Sequence, residues 1–304
     1  MTNEAFVSAA KAQGFALCCF LPPVAIAARY PGLVSDPREV IMDARTVILL
    51  IKTYCPAGAD ADAEAVISNY YPASNVAYRA AKALAAFLKE NGYEAQSNVQ
   101  IPLKSWLNAF GIGEAGRNSL IAIDGIGSAF HVQAIVTNAA FKYTHTRKTV
   151  KPLADRCLTC SNCIRACPTG AIRENGGVDA EKCLRAISEM DPVPEAYEKM
   201  LKNRLLGCDL CQSVCPANFA IKREKPLSVS LKKLLDGDIE EMKQLIGPNY
   251  ARTNRLKKKA ALIAANTHRY DLVSKLEAMS NESDEGLKSA ARRALKRLEE
   301  EKCE

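Results

Sequence analysis

The chain lacks the features that would place it in a membrane or on a secretory route. No run of about 20 apolar residues occurs in its 304 residues, which excludes a transmembrane helix of the usual kind. Its opening stretch, MTNEAFVSAAKAQGF, has no apolar segment of signal-peptide type behind a basic start. A cytoplasmic, reducing location is therefore expected, and a disulfide framework is not. Charge of one sign is not in large excess either: the net charge of +7 is modest and matters only where it is unevenly distributed. Histidine is scarce, with three in all, and His131 and His145 read as ordinary polar residues rather than axial metal ligands. Cysteine is plentiful, with twelve residues.

Eight of these cysteines follow a pattern. Residues 157 to 172, CLTCSNCIRACPTGAI, have the spacing C-x2-C-x2-C-x3-C-P, in which three close thiolates hold one iron-sulfur cube and the fourth reaches a second. Downstream, GCDLCQSVCPAN repeats the ending C-x2-C-x3-C-P without its leading cysteine, and the lone Cys183 between the two runs is the candidate for the missing ligand. Crossed ligation of the two-cluster ferredoxin kind assigns cluster 1 to Cys157, Cys160, Cys163 and Cys215. Cluster 2 then takes Cys167, Cys183, Cys208 and Cys211. Eight cysteines with two C-P endings exceed what one tetrahedral zinc ion uses. Each proline stops its ligand run because it cannot continue a helix. Cys18 and Cys19 in GFALCCFLPP, and Cys55 after a strand-like run, read as small buried residues. Cys303 is expected in a frayed last turn and is not assigned as a ligand.

Hydrophobic patterning divides the chain into three segments, with an α+β fold overall. In residues 1–150, TVILLIKTY (46–54), SLIAIDG (119–125) and HVQAIVTN (131–138) read as strands, and NVAYRAAKALAAFLKENGY reads as an amphipathic helix ending at Gly92. Strands alternating with helices suggest an α/β or α+β sheet domain. Residues 151–228 form the ferredoxin-like two-cluster segment. Residues 229–304 are helical, with the texture of a short HEAT-like repeat tail expected to dock on the cluster segment. In that tail NYARTNRLKKK gathers Arg252, Arg255, Lys257, Lys258 and Lys259 without an acid, and Arg292, Arg293, Lys296 and Arg297 recur on the final helix. These read either as a solvated helix face or as a phosphate-binding surface for nucleic acid.

Gly111, Gly113 and Gly116 make G-x-G-x-x-G, but they follow a helical stretch, LKSWLNAF, and run into a strand. A dinucleotide turn has the opposite order. Together, GIGEAGRNSL, the C-x2-C-x2-C-x3-C-P-T-G-A-I run, the lone Cys183, NRLLGCDLCQSVCPAN and the helical tail resemble the epoxyqueuosine reductase family, in order from about Phe6 to Leu298. Related corrinoid reductive dehalogenases share the glycine turn and the clusters.

The resemblance implies a cobalamin-binding N-terminal α/β domain and two 4Fe-4S clusters that deliver electrons to cobalt. It implies reduction of the epoxide of epoxyqueuosine in tRNA to queuosine, fed by a low-potential donor such as ferredoxin or flavodoxin. Cobalamin would lie against Gly111, Gly113 and Gly116, with Arg117, Asn118 and Ser119 as donors to its amides. The family's acidic Asp, in a Y-x-x-G-R-D-Y-H stretch, is replaced here by Asn75, with Ala77 in place of the histidine. An asparagine is not a general acid, so Tyr70, Tyr71 or Tyr78 would donate the proton. Otherwise the chain acts on another substrate, transfers electrons to a partner, or handles a corrinoid without this chemistry.

Overall fold

A computed structural model of the chain describes residues 1–27, 31–56, 63–149, 151–222 and 224–302. Among these, no helix is long and apolar enough to cross a membrane. The N-terminal segment holds helix α1 (Asn3–Ala12), strands β1 (Leu17–Leu21), β2 (Thr46–Thr53) and β3 (Ala65–Ile67), helix α2 (Tyr70–Glu90), strand β4 (Ala95–Ser97) and helix α3 (Leu103–Ala109). The short strands β5 (Glu114–Ala115) and β6 (Ile121–Ala122) and the long β7 (Phe130–Thr137) follow.

The main sheet runs β1-β2-β7-β4. Each of its neighbouring pairs is antiparallel, with Cys18 opposite Leu50 and Ile48 opposite Ile135. The segment is therefore α+β in kind, without the parallel sheet of an α/β unit.

Alternation along β2 explains the layering, because successive side chains of a strand point to opposite faces. Val47, Leu49 and Ile51 pack with Trp106, Leu107 and Phe110 on one face. Ile48 and Leu50 pack with Phe6, Leu84 and Leu88 on the other. Burial on both faces is why TVILLIKT is an unbroken apolar run. Helix α2 presents Ala73, Ala77, Ala80, Ala81 and Ala85 along its buried side, and these small residues allow close packing. It begins five residues earlier than Asn75, because Pro72 is tolerated in a first turn. The expected strand 119–125 contracts to Ile121–Ala122, since Ser119, Gly125 and Gly127 all adopt positive φ and bend the chain.

The cluster segment is built of short helices: α4 (Asn162–Ala166), α5 (Leu184–Ile187), α6 (Glu195–Glu198), strand β8 (Arg204–Leu206) and α7 (Leu210–Ser213). Cys167 caps the end of α4 ahead of Pro168, and Cys183 is the N-cap of α5. Strand β9 (Leu227–Val229) leads into α8 (Leu231–Leu235), α9 (Glu240–Ile246), α10 (Thr253–Asn266), α11 (Val273–Ser280) and α12 (Glu285–Lys302). The break between α8 and α9 falls at Gly237, where φ is +79°. Helix α10 is central, with Ala260, Ala261, Ile263, Ala264 and Ala265 buried in a core that joins the tail to Ile67, Leu184 and Leu205. A small sheet of order β8-β3-β9 links the segments, parallel between β3 and β8 and antiparallel between β3 and β9.

Candidate metal centre and the polar cluster beside it

Cys157, Cys160, Cys163 and Cys215 line one cleft together with Gly116, Arg117 and Asn118. Burial pushes the Cys163 thiol up, reinforced by the nearby Cys157, Cys215 and Cys160 sulfurs. A second group forms around Cys211, whose thiol burial and the neighbours Cys208 and Cys183 push up to about 12. Stacked thiolates of this kind repel one another until a metal neutralises them. Cys167 differs. Although burial opposes it, hydrogen bonds from the Thr169 hydroxyl and from the N–H groups of Thr169, Ala171 and Ile172 hold its thiol low. Such a nest of donors suits an anionic sulfur.

Among the described residues, no three His, Cys, Asp or Glu side chains converge as ligands of a single ion. A cube spreads its four thiolates over four iron atoms, so it calls for a wider grouping than a single ion does. Every described cysteine is free of a disulfide. Cys19 is fully buried in β1, and burial raises its thiol to about 12, which makes it inert core. Cys303 lies outside the described residues.

The glycine turn is docked between these two groups. Arg117 donates from Nη2 to the Cys157 carbonyl, the Gly177 N–H donates to the Arg117 carbonyl, and Asn118 hydrogen-bonds the Cys211 sulfur. The Ser119 carbonyl accepts from Lys104 Nζ at 3.0 Å. Gly113 and Gly116 have a packing reason of their own: a Cβ would come within 2.8 Å of the Ala122 carbonyl at the first and 3.3 Å of the Leu120 carbonyl at the second. Of the donors assigned to a corrin's amides, Arg117 Nε is buried and has no hydrogen-bond partner. That atom is the turn's observed fit to such a ligand.

Near Cys183 and Cys211, side chains from separate segments gather in a polar cluster. Tyr54 donates to Gln212 Oε1 at 2.9 Å. Tyr70 stands edge-on to both Tyr54 and His131, with ring centroids 5.9 and 5.3 Å away. The Arg185 guanidinium lies 4.5 Å from the Tyr70 ring centre, within cation–π range. Tyr71 donates to Glu189 Oε1 at 2.6 Å and packs edge-on against Tyr250. Lys104 is held below the usual lysine range by burial and by Arg185. Among the sequence-derived acids, Tyr70 and Tyr71 belong to this cluster, whereas Tyr78 is 50% exposed on α2.

Asn75 points elsewhere. Its amide donates to the carbonyls of Gln244 (2.9 Å) and Leu245 (3.1 Å), which pins α2 to α9. The Asn75 amide is thus engaged in packing α2 against α9. Asn75→Asp is expected to destabilise the fold by about 1–3 kcal/mol, because a carboxylate cannot donate to either carbonyl. Urea unfolding would measure the loss, and a restored acid function would not accompany it.

The sequence reads His131 as an ordinary polar residue, because one histidine carries no spacing signal. Here burial, then Arg185, push its pKa down to about 4, and the Gln133 amide meets its Nε2 at 2.9 Å. The unfolded chain therefore binds the extra proton between about pH 6.5 and 4. The stability contributed by neutral His131 is complete above that window and is lost as pH falls through it, by ~2–3 kcal/mol. Comparing urea midpoints at pH 7 and pH 5 in the wild type and His131→Phe should show a shallower pH dependence in the variant.

The basic run on α10 is largely engaged within the fold. Arg255 donates to the Glu189 carbonyl, Lys257 pairs with Glu282, and Lys258 pairs with Asp191 at 2.6 Å. Lys259 is only 4% exposed. Arg252 alone of the five is an exposed side chain without such a partner among those described. On α12, Arg293 and Arg297 face Glu198, and Lys296 pairs with Glu300. Four of the five α10 cations are therefore engaged or buried within the fold.

Residues 156–218 match the family model described as a 4Fe-4S double cluster binding domain, the span that contains all eight assigned cysteines. Two 4Fe-4S clusters are the metal content this match supports. In sequence, the chain is 30% identical over 203 residues to an epoxyqueuosine reductase of Cellulophaga algicola, covering 63% of this chain and 64% of the relative. It is 32% identical over 218 residues to one from Gloeobacter violaceus, covering 65% and 66%. The chain thus spans just under two thirds of the length of these curated relatives. A solved epoxyqueuosine reductase from Streptococcus thermophilus superposes with a TM-score of 0.77 at 19% identity, over 98% of this chain and 90% of that one. The epoxyqueuosine reductase resemblance drawn from the motifs therefore holds in sequence, and the fold is shared.

Proposed function

We propose, starting from this kinship, that the chain is an iron-sulfur reductase of the epoxyqueuosine reductase type. In this reading it uses two 4Fe-4S clusters and a cobalamin to reduce the epoxide of epoxyqueuosine in tRNA. The observation that carries it is the polar cluster: protonable side chains gathered around Tyr70 and Arg185, with Lys104 in electrostatic reach of Cys183 and Cys211, two of the thiolates that would hold the second cluster.

The cofactors supply one-electron carriage and low-valent cobalt. The chain's own residues bind, orient and move protons. Cys157, Cys160, Cys163 and Cys215 would hold the first cluster, and Cys167, Cys183, Cys208 and Cys211 the second. Gly111, Gly113 and Gly116 with Arg117, Asn118 and Ser119 would face the corrin, with Arg117 Nε as the donor the protein does not use. Lys104 lies in electrostatic reach of Cys183 and Cys211, and Arg185 sits over the Tyr70 ring. Tyr70, enclosed by Arg185 and hydrogen-bonded to Ser74, takes the role of proton donor that Asn75 does not fill.

The proposed units are 1–150 for cobalamin and substrate, 151–228 for the clusters, and 229–304 as a HEAT-like tail. Free thiols throughout the described residues support a cytoplasmic setting and a low-potential donor such as ferredoxin or flavodoxin. A tRNA partner is supported by the fold shared with an epoxyqueuosine reductase solved with an epoxyqueuosine-modified tRNA-Tyr stem loop, a match with TM-score 0.76 at 19% identity.

A second reading, an electron-transfer or corrinoid-handling protein, draws on Asn75 being turned to α9 and on glycines that the hairpin alone explains. Anaerobic reconstitution with iron, sulfide and cobalamin, followed by desalting and metal analysis, separates the two. The reductase requires about eight irons and one cobalt per chain, and then turnover of an epoxyqueuosine-bearing stem loop. Eight irons without cobalt would leave the electron carrier.

A further inference from the structure

Away from the clusters, a cavity of about 270 Å³ opens between α10, α12 and the Met190–Glu198 stretch of the cluster segment. Its charged walls are Asp191, Glu198, Lys258, Lys259, Arg293 and Arg297. Asp191 is paired with Lys258 at 2.6 Å. Glu198, 5% exposed, lies 3.0 Å from Arg293 Nη1 and 3.7 Å from Arg297 Nη1. Two carboxylates thus answer four cationic side chains. Enclosed positive charge without a counter-charge is costly, so this wall composition selects for an anion.

Two of the cations retain unused donors. Arg297 Nε is buried with no hydrogen-bond partner, although its Nη2 donates to Asn266 Oδ1 at 2.6 Å. Lys259 Nζ has one long hydrogen bond, 3.5 Å to the Leu205 carbonyl, for its three donors. The cavity is smaller than the roughly 300–1,000 Å³ typical of whole drug-sized ligands. It suits a single tetrahedral oxyanion with at most a small substituent.

We propose that this cavity binds a phosphate group, gripped by Lys259, Arg293 and Arg297. The phosphate belongs either to a small phosphorylated compound or to an RNA backbone, and the site is independent of the reductase chemistry. It also gives the α10 cations a function that an outward-facing surface does not describe.

Burial, then Arg255, hold the Lys259 amine down at about 7. The charged groups around it are Arg255 and Lys258 on its own helix, Glu189, Asp191 and Glu198 from the cluster segment, and Arg293 and Arg297 from α12. An anion favours the protonated amine, so affinity is full below about pH 7 and falls as pH rises through it.

The test is calorimetric titration of the cluster-loaded protein with sodium sulfate, which does not itself titrate in this range. The expected result is saturable one-to-one binding that weakens about tenfold between pH 6 and pH 8. Lys259→Met should lose at least tenfold in affinity and Arg293→Gln several-fold, with iron content and circular dichroism unchanged. Arg293 is 43% exposed at its side chain, so its variant tests the site even if the Lys259 variant folds poorly. Unsaturable sulfate binding, or equal affinity in wild type and Arg293→Gln, overturns the proposal. Competition by an RNA stem loop assigns the phosphate to RNA; undiminished sulfate binding in its presence assigns it to a small compound.

Discussion

Cys160→Ala is expected to reduce the iron content from about eight to about four per chain and to abolish reductase turnover. The loss should be confined to one cluster because the two thiolate groups are separate. Cys160 shares its cleft with Cys157, Cys163 and Cys215, while Cys211 has Cys208 and Cys183 as its principal sulfur neighbours. Three remaining thiolates hold a cube weakly. The segment around them is made of four- and five-residue helices that supply little core of their own, so metal binding there contributes to folding. A fall in melting temperature should accompany the iron loss. Cys19→Ala, a change to the inert thiol buried in β1, should leave the iron unchanged. Iron analysis with a turnover assay on the same preparations checks both variants. Turnover surviving in Cys160→Ala with half the iron would refute the proposed wiring.

Gly127→Ala should produce the largest loss of stability of any single change considered, ~3 kcal/mol or more. Gly127 has φ of +79°, a region that disfavours any Cβ. An added Cβ would lie 2.4 Å from Asn218 Oδ1 and 2.7 Å from the Ala217 carbonyl. Asn218 is the polar latch between the N-terminal and cluster segments. Its Oδ1 accepts from the Ser128 N–H at 2.7 Å, and its Nδ2 donates to Ser128 Oγ at 3.0 Å and to the Gln212 carbonyl at 2.9 Å. Gln212 in turn donates to the Ser128 carbonyl at 3.1 Å. Asn218→Leu should cost a similar amount, since the buried Ser128 N–H loses its acceptor. Urea midpoints and limited proteolysis between the segments measure both variants. Unchanged midpoints would place the docking energy elsewhere.

What could be read from the sequence was what depends on local spacing. The cysteine runs and their prolines are short-range patterns, and the terminations after α4 and α7 follow from them. The long strands β2 and β7 and the helices α10, α11 and α12 are similarly local. The polar cluster was not legible, because Tyr54, Tyr70, Lys104, His131, Arg185 and Tyr250 lie on different elements and meet only after folding. The basic run was misleading for a related reason. Arg255 and Lys259 are one helical turn apart on α10, a helix packed on several sides. Their cations reach Glu189 and the Asp191 neighbourhood in the fold, although no acid is close to them in sequence.

The small sheet β8-β3-β9 also sets an order of events during synthesis. Its middle strand, Ala65–Ile67, emerges first, and β8 follows immediately ahead of Cys208. The closing strand, Leu227–Val229, arrives only after Cys211 and Cys215 have been made. All eight cysteines of the 157–215 stretch are therefore synthesised before the last edge strand of this sheet is available to pair.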